Sequence, residues 1–347
     1  MHLPAARGPL SARLIHLLRR DQDGESGRLA HEAESEVAEE EHSSPLTDID
    51  HQLSLWIIYE LSFHGFDDVD DQWEWAPEVA GLRAVLEAPF EAALRESAAD
   101  WLARARAYDG DVAEQIFTLT EEFDEGPDLS RFIRREATPE QVRDFLRQRS
   151  IYHLKESDPH TFVIPRLTGP AKAHLVELQY DEYGGGRVGH LHHELFAATM
   201  RACGLDDTYG AYVDKADAAT LASSNAMSLF CLHRRLRGAA MGHLAAFEAT
   251  SSIPCRRIAA GLRRVGFGDE AARYYDEHVE ADAVHEQLAA REICGTLVES
   301  GDVDASEILF GAVTCLALDA RQSEALTGGW EQAAEPDSEA VPAGAAS

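Results

Sequence analysis

The sequence predicts an all-α protein, a helical bundle preceded by an N-terminal helical region. Three observations carry that reading. Ala, Leu, Glu and Arg dominate, the Val/Ile/Thr alternation of strands is nearly absent, and apolar residues recur every three to four positions. Apolar residues make up 45% of the 347, which is enough for a sizeable core.

Residues 1–45 read as a disordered arm, because 21–42 is acidic, includes Glu39, Glu40 and Glu41, and is poor in aromatics. The N-terminal helical region spans 46–136. Leu53, Trp56, Ile57 and Leu61 set a helix over 48–63, and further amphipathic helices follow over 77–94 and 101–123. Trp73 and Trp75 fall in an acidic loop and read as core or interface aromatics. The main domain spans 137–327. It opens with Thr138, Pro139 and Gln141 as N-cap, first and third helical residues, and its first helix runs to 157, before Asp158 and Pro159. A second helix covers 170–183 and ends in Gly184, Gly185 and Gly186. A third covers 188–203, closed by Gly204. A long fourth covers 223–251, stopped by Pro254. A short helix over 256–264 follows, then long ones over 269–299 and 305–326. The acidic tail 328–347 reads as disordered.

Lys and Arg number 31 against 62 Asp and Glu, a net charge of −31, so neither nucleic acid nor an anionic membrane is an expected partner. Cys203, Cys231, Cys255, Cys294 and Cys315 form no CxxC pair, which argues against a zinc knuckle or redox couple and fits a reducing cytoplasm. Arg7, Arg13, Arg19 and Arg20 interrupt any signal-peptide run, and no stretch nears the ~20 apolar residues of a membrane span.

The sharpest local pattern is His278, Asp282 and His285, at i, i+4 and i+7 on one helix. All three face one way, on a stripe shared with Tyr274, Tyr275, Ala281 and Ala289. Two imidazoles and a carboxylate suit a divalent metal with nitrogen and oxygen preference. A solvated polar stripe is the plainer alternative, given Glu277, Glu280 and Glu286 nearby.

Other helices repeat the theme. Glu156 shares a face with Val142, Phe145 and Tyr152, and Glu182 with Ala171, Leu175 and Leu178. His192 shares one with Leu195, Phe196 and Thr199, and Glu248 with Met241 and Leu244. A buried lone carboxylate costs several kcal/mol unless paired or metal-bound. Recurrence on several helices points to one polar centre inside the bundle. Glu156, Glu182, Glu248 and Asp282 carry four negative charges, which two ferrous ions would balance beside neutral His192, His278 and His285. Glu182 and His192 stand ten residues apart, about 15 Å on an unbroken helix, so sharing a metal needs Gly184, Gly185 and Gly186 to turn the chain back, although a plain loop explains the glycines equally well.

The run Leu154-Lys155-Glu156-Ser157-Asp158-Pro159-His160 and the run Gln179-Tyr180-Asp181-Glu182-Tyr183-Gly184-Gly185-Gly186 resemble the iron-containing redox enzyme family of haem-oxygenase-like di-iron oxidases. Phe247-Glu248-Ala249-Thr250-Ser251-Ser252 and Tyr275 to His285 continue the likeness, which covers about 140–325. The resemblance implies a haem-oxygenase-like bundle with Glu156, Glu182, His192, Glu248, His278, Asp282 and His285 as metal ligands and catalytic groups. It implies two Fe(2+) ions per chain and O2 as co-substrate. It also implies oxidation of a small amine, amino-acid-like or fatty-acid-like molecule, by N-oxygenation or oxidative C–C cleavage. Nitrosourea-forming members carry a metal-binding cupin module after the helical domain. The chain runs only a short way past Trp330, so the expectation is the helical domain without that module or the complete nitrosourea-forming reaction.

A small-molecule substrate, an electron donor and a homodimer built on the N-terminal aromatics are the expected partners. Two other readings stay open: a haem-binding protein with one axial histidine, and a non-enzymatic metal-binding helical protein. His190, His193 and His243 read as supporting or surface histidines. Arg237 reads as a partner for an acid on the face of Glu248, and Tyr183 and Tyr275 as packing residues.

Overall fold

Residues 1–19 and 44–334 are described by the structure, a computed structural model, without the side chains of 280–283 and 334. The acidic tract 21–42, the tail beyond 334 and the side chain of Asp282 lie outside the described residues. Within them every regular element is helical.

Residues 1–19, read above as part of the arm, instead carry helix α1 (Pro9–Leu18). Leu14, Leu17 and Leu18 are buried, while Arg13 and Arg19 face outward. Asp50 accepts from the backbone N–H groups of Leu10 and Ser11, pinning α1 to α2 (Ile49–Glu60). Helix α2 is buried nearly all round, Gln52 and Glu60 included, as befits a central helix. Trp73 and Trp75 sit on a short 3-10 turn, Asp71–Trp75, the first buried and the second exposed.

Next come α3 (Pro77–Ser97), α4 (Ala99–Ala105) and α5 (Val112–Glu122). The single helix expected over 101–123 is thus two, because Asp111 caps a fresh N-terminus by accepting from Ala113 and Glu114. After α6 (Leu129–Arg135), helix α7 (Pro139–His153) starts with the expected capping box between Thr138 and Gln141. It stops four residues short of 157. A short α8 (Asp158–Thr161) leads to α9 (Gly169–Glu182) and α10 (His192–Ala202).

The long fourth helix is also two, α11 (Ala218–Leu232) and α12 (Arg237–Ala249). His233 is extended between them, its ring nitrogen 2.8 Å from the Glu87 carboxylate. Then follow α13 (Ser252–Arg264) and α14 (Gly268–Gln287). A π-helical stretch, Leu288–Gly295, joins α14 to α15 (Thr296–Glu299). Helix α16 (Ala305–Ala334) continues into residues read as tail.

One apolar cluster gathers α1 to α5, α9, α11, α12 and α16, and a second gathers α6, the start of α7, α10, α13 and the start of α14. The N-terminal helices therefore share a core with the bundle. Helices α12 and α16 cross backbone to backbone: a Cβ on Gly242 would fall 1.8 Å from the Ile308 carbonyl oxygen, so only glycine fits there. No disulfide joins the five cysteines, all of which are buried. No described helix is long and apolar enough to cross a membrane.

Candidate metal centre

The glycine run shapes the first part of the centre. Helix α9 ends at Glu182, and Gly184, Gly185 and Gly186 all take left-handed φ, at 68°, 60° and 76°. At Gly184 a Cβ would lie 2.5 Å from the His190 carbonyl carbon, so a side chain there would block the turn. The chain doubles back, and His192 opens α10 with Nδ1 2.9 Å from Glu182 Oε2.

Glu156 comes from the turn beyond α7 rather than from the helix. Ser157 next to it takes φ 72°, the one positive value at a described non-glycine residue. Two bonds hold that conformation. Ser157 Oγ donates to Glu182 Oε2 at 2.9 Å, and Gln179 Nε2 donates to the Ser157 carbonyl at 2.8 Å. The strained residue thereby ties the Glu156 turn to Glu182.

Helix α14 supplies His278 and His285. The Tyr274 carbonyl lies 2.8 Å from His278 Nδ1 and can only accept, so Nδ1 carries the proton and Nε2 presents a lone pair. That Nε2 is 3.8 Å from Glu156 Oε1. His285 Nδ1 stands 3.5 Å from Glu182 Oε1 and 3.6 Å from Glu248 Oε2, the latter at the end of α12. Ligand atoms of Glu156, Glu182, His192 and His278 all lie within 4.8 Å of one another, as do those of Glu182, Glu248 and His285. Glu182 belongs to both sets, and all six residues are buried. Of the seven residues singled out in the sequence, six converge, and the Asp282 side chain lies outside the described residues.

The electrostatics follow from crowding. Burial raises Glu156 well above the usual carboxylate range, and the charge of Glu182 pushes the same way. Burial also raises Glu248. Burial pushes Glu182 up too, but His192, His278 and His285 outweigh it and hold the group at about 2. Burial would lower His192, yet Glu182, Glu156 and Glu248 bring it up to about 9. Burial and the charge of His192 drop His278 to about 4. Three buried carboxylates thus compete for protons that a divalent cation could replace.

The pocket itself fits a metal. A void of about 10 Å³ lies among Glu156, Glu182, Glu248 and His278, close to the room one small ion or water needs. Buried His192 Nδ1 lies 2.9 Å from Glu182 Oε2 yet completes no hydrogen bond among the described residues. The oxygen and nitrogen donors, with no thiolate, are those that suit iron or manganese.

Tyr274 was overlooked as a functional group, although it shares the stripe of His278 four residues on. Its hydroxyl donates to Glu156, 2.8 Å from each carboxylate oxygen. Asp181, 3.5 Å from His285 Nε2, also escaped notice. His243 is buried, and burial lowers it to about 3. Among the described residues Arg237 pairs with no acid: it donates to the carbonyls of Arg234 and Asp302. The Tyr183 hydroxyl binds Asp158 and Thr161.

Comparison with known proteins gives two matches. Residues 143–320 fit the family described as iron-containing redox enzyme. A nitrosourea synthase from Streptomyces achromogenes subsp. streptozoticus is 30% identical over 160 residues, 46% of this chain. The match spans about a third of that relative's length, 34%.

Proposed function

Given that this chain belongs to the iron-containing redox enzyme family and is an iron-dependent oxidoreductase, we propose that it is a non-haem di-iron oxygenase or oxidase. Its substrate in this reading is a small amine, amino-acid-like or fatty-acid-like molecule, oxidised by N-oxygenation or oxidative C–C cleavage. The observation behind the second iron is that Glu182 belongs to two overlapping donor sets. Glu156, Glu182, His192 and His278 would hold one ion, and Glu182, Glu248 and His285 the other. Asp282 is proposed as a further ligand from its place between the two α14 histidines.

Bound ferrous ions would supply the electrons that reduce O2. The chain's own groups prepare the site. Tyr274 and Ser157 aim Glu156 and Glu182, and the Tyr274 carbonyl fixes the His278 tautomer. Tyr152 and Phe247, edge to face at 5.8 Å, help to keep water out. Three carboxylates among the histidines have no task in a haem pocket, which sets the haem reading second. An electron donor and a homodimer complete the proposal.

Oxygen consumption by the ferrous-loaded protein tests it. Iron-dependent uptake, stimulated by an amine, amino acid or fatty acid and lost in Glu182→Ala, is expected. No uptake with any of these compounds would contradict the reading.

A further inference from the structure

A cavity of about 260 Å³ runs from the candidate metal centre toward the surface. His278 and Tyr274 line its buried end, and Phe145, Phe247 and Ile258 make its walls apolar. Asp319, 55% exposed, marks its outer end. At about 30 Å³ per water, the space matches roughly nine water-sized groups.

Arg149 is the single Arg or Lys in the described wall. One of its terminal nitrogens donates to Asp319 Oδ1 at 2.5 Å, and the guanidinium lies 5.5 Å from the Phe145 ring centre. One turn further along α7, His153 binds the Arg149 carbonyl, and its ring sits 5.7 Å from that of Tyr274. Arg149 therefore stands on the wall leading inward, one helical turn before His153. Glu125, the other acid in the wall, is engaged by Trp101 Nε1 at 2.6 Å. The fork of a guanidinium offers five donors matched to a carboxylate, and Asp319 occupies one edge from the solvent side. Asp319 is 55% exposed and can turn to water, but Arg149 is only 20% exposed, so the exchange needs a second carboxylate to take the place of Asp319 on the guanidinium.

We propose that this cavity binds a monocarboxylate carried on an apolar chain or ring of about eight carbons. Its carboxylate sits on Arg149 in place of Asp319, and its far end lies against His278. The assignment rests on the di-iron reading only in making that far end the reacting end.

Calorimetry on the metal-free full chain tests it, with octanoate, octan-1-ol and octylamine as probes. Octanoate is expected to bind at least about tenfold more tightly than octanol or octylamine. Arg149→Gln should remove that preference and leave octanol unchanged. Asp319→Asn, which frees the guanidinium, should tighten octanoate, a gain that a misfolded variant cannot mimic. Octylamine or octanol binding as tightly as octanoate, or octanoate indifferent to both substitutions, would overturn the proposal. None of these readouts needs iron, so a failed iron titration would sink the di-iron reading and leave this result standing.

Discussion

Tyr274 holds Glu156 from outside the donor sets, its hydroxyl oxygen 2.8 Å from both carboxylate oxygens. Helix α14 therefore contributes twice to the same corner, through His278 and through the residue one turn before it. Groups that orient a ligand in this way typically govern metal affinity by about 10–100-fold. Tyr274→Phe is expected to weaken iron binding by that factor while the far-ultraviolet circular dichroism stays unchanged. Equal affinity in the variant would show that Glu156 needs no such support.

Acidity gives a second prediction. His192 is more basic folded, about 9 against 6.5, so its contribution is complete below pH 6.5 and lost as pH rises towards 9. The raised Glu156 and Glu248 also lose stability as pH rises, beginning above the ordinary carboxylate value of 4.5. Glu182 acts oppositely, with stability present above pH 4.5 and lost towards pH 2. Burial lowers His160 and His278 to about 4 and His153 to about 3, so the unfolded chain takes up protons first below pH 6.5. The metal-free protein should therefore be most stable near pH 6.5, with the unfolding temperature falling on both sides. Iron must displace the His192 proton, so apparent affinity should climb by up to about tenfold per pH unit below pH 9. An affinity flat between pH 6 and 8 would count against His192 as a ligand.

How much of this was readable beforehand varies by residue. The return of His192 to Glu182 was half legible: Gly184, Gly185 and Gly186 permit a break between residues ten apart, but a plain loop would use them equally well. The converging faces of Glu248 and the α14 histidines were legible from helical periodicity. The turn at 154–157 was not, since nothing about a serine announces φ 72°, and its two supporting bonds come from residues distant in sequence. The break at His233 has no glycine or proline to mark it and depends on Glu87. Helix α1 was hidden by Arg13 and Arg19, which only the folded chain sends outward.

A third prediction concerns the brace behind Glu156. Lys155 and Glu60 form an ion pair with both side chains fully buried, and the ammonium lies 4.5 Å from the Phe63 ring centre. Glu60→Gln leaves that ammonium buried with a neutral partner and should cost about 3–5 kcal/mol in urea unfolding. Replacing both, as Glu60→Leu with Lys155→Met, should recover much of the loss. A single variant as stable as the parent would show the pair to be idle.

The crossing of α12 and α16 supplies a fourth. Gly242→Ala forces a methyl into the Ile308 carbonyl and should destabilise by about 1–3 kcal/mol or more, displacing the helix that carries Glu248. Gly329→Ala, with nothing within 4 Å of the added carbon, should be neutral or stabilising by up to about 1 kcal/mol. Matching effects from the two would refute the packing argument.

The central claim is that two irons share Glu182. Anaerobic titration with ferrous iron, followed by Mössbauer spectroscopy before and after exposure to O2, tests it most directly. Two ions per chain that become a spin-coupled ferric pair, reduced to at most one uncoupled ion in Glu182→Ala, is the predicted result. A parent protein that saturates at one iron, or holds two that stay magnetically independent, would contradict it.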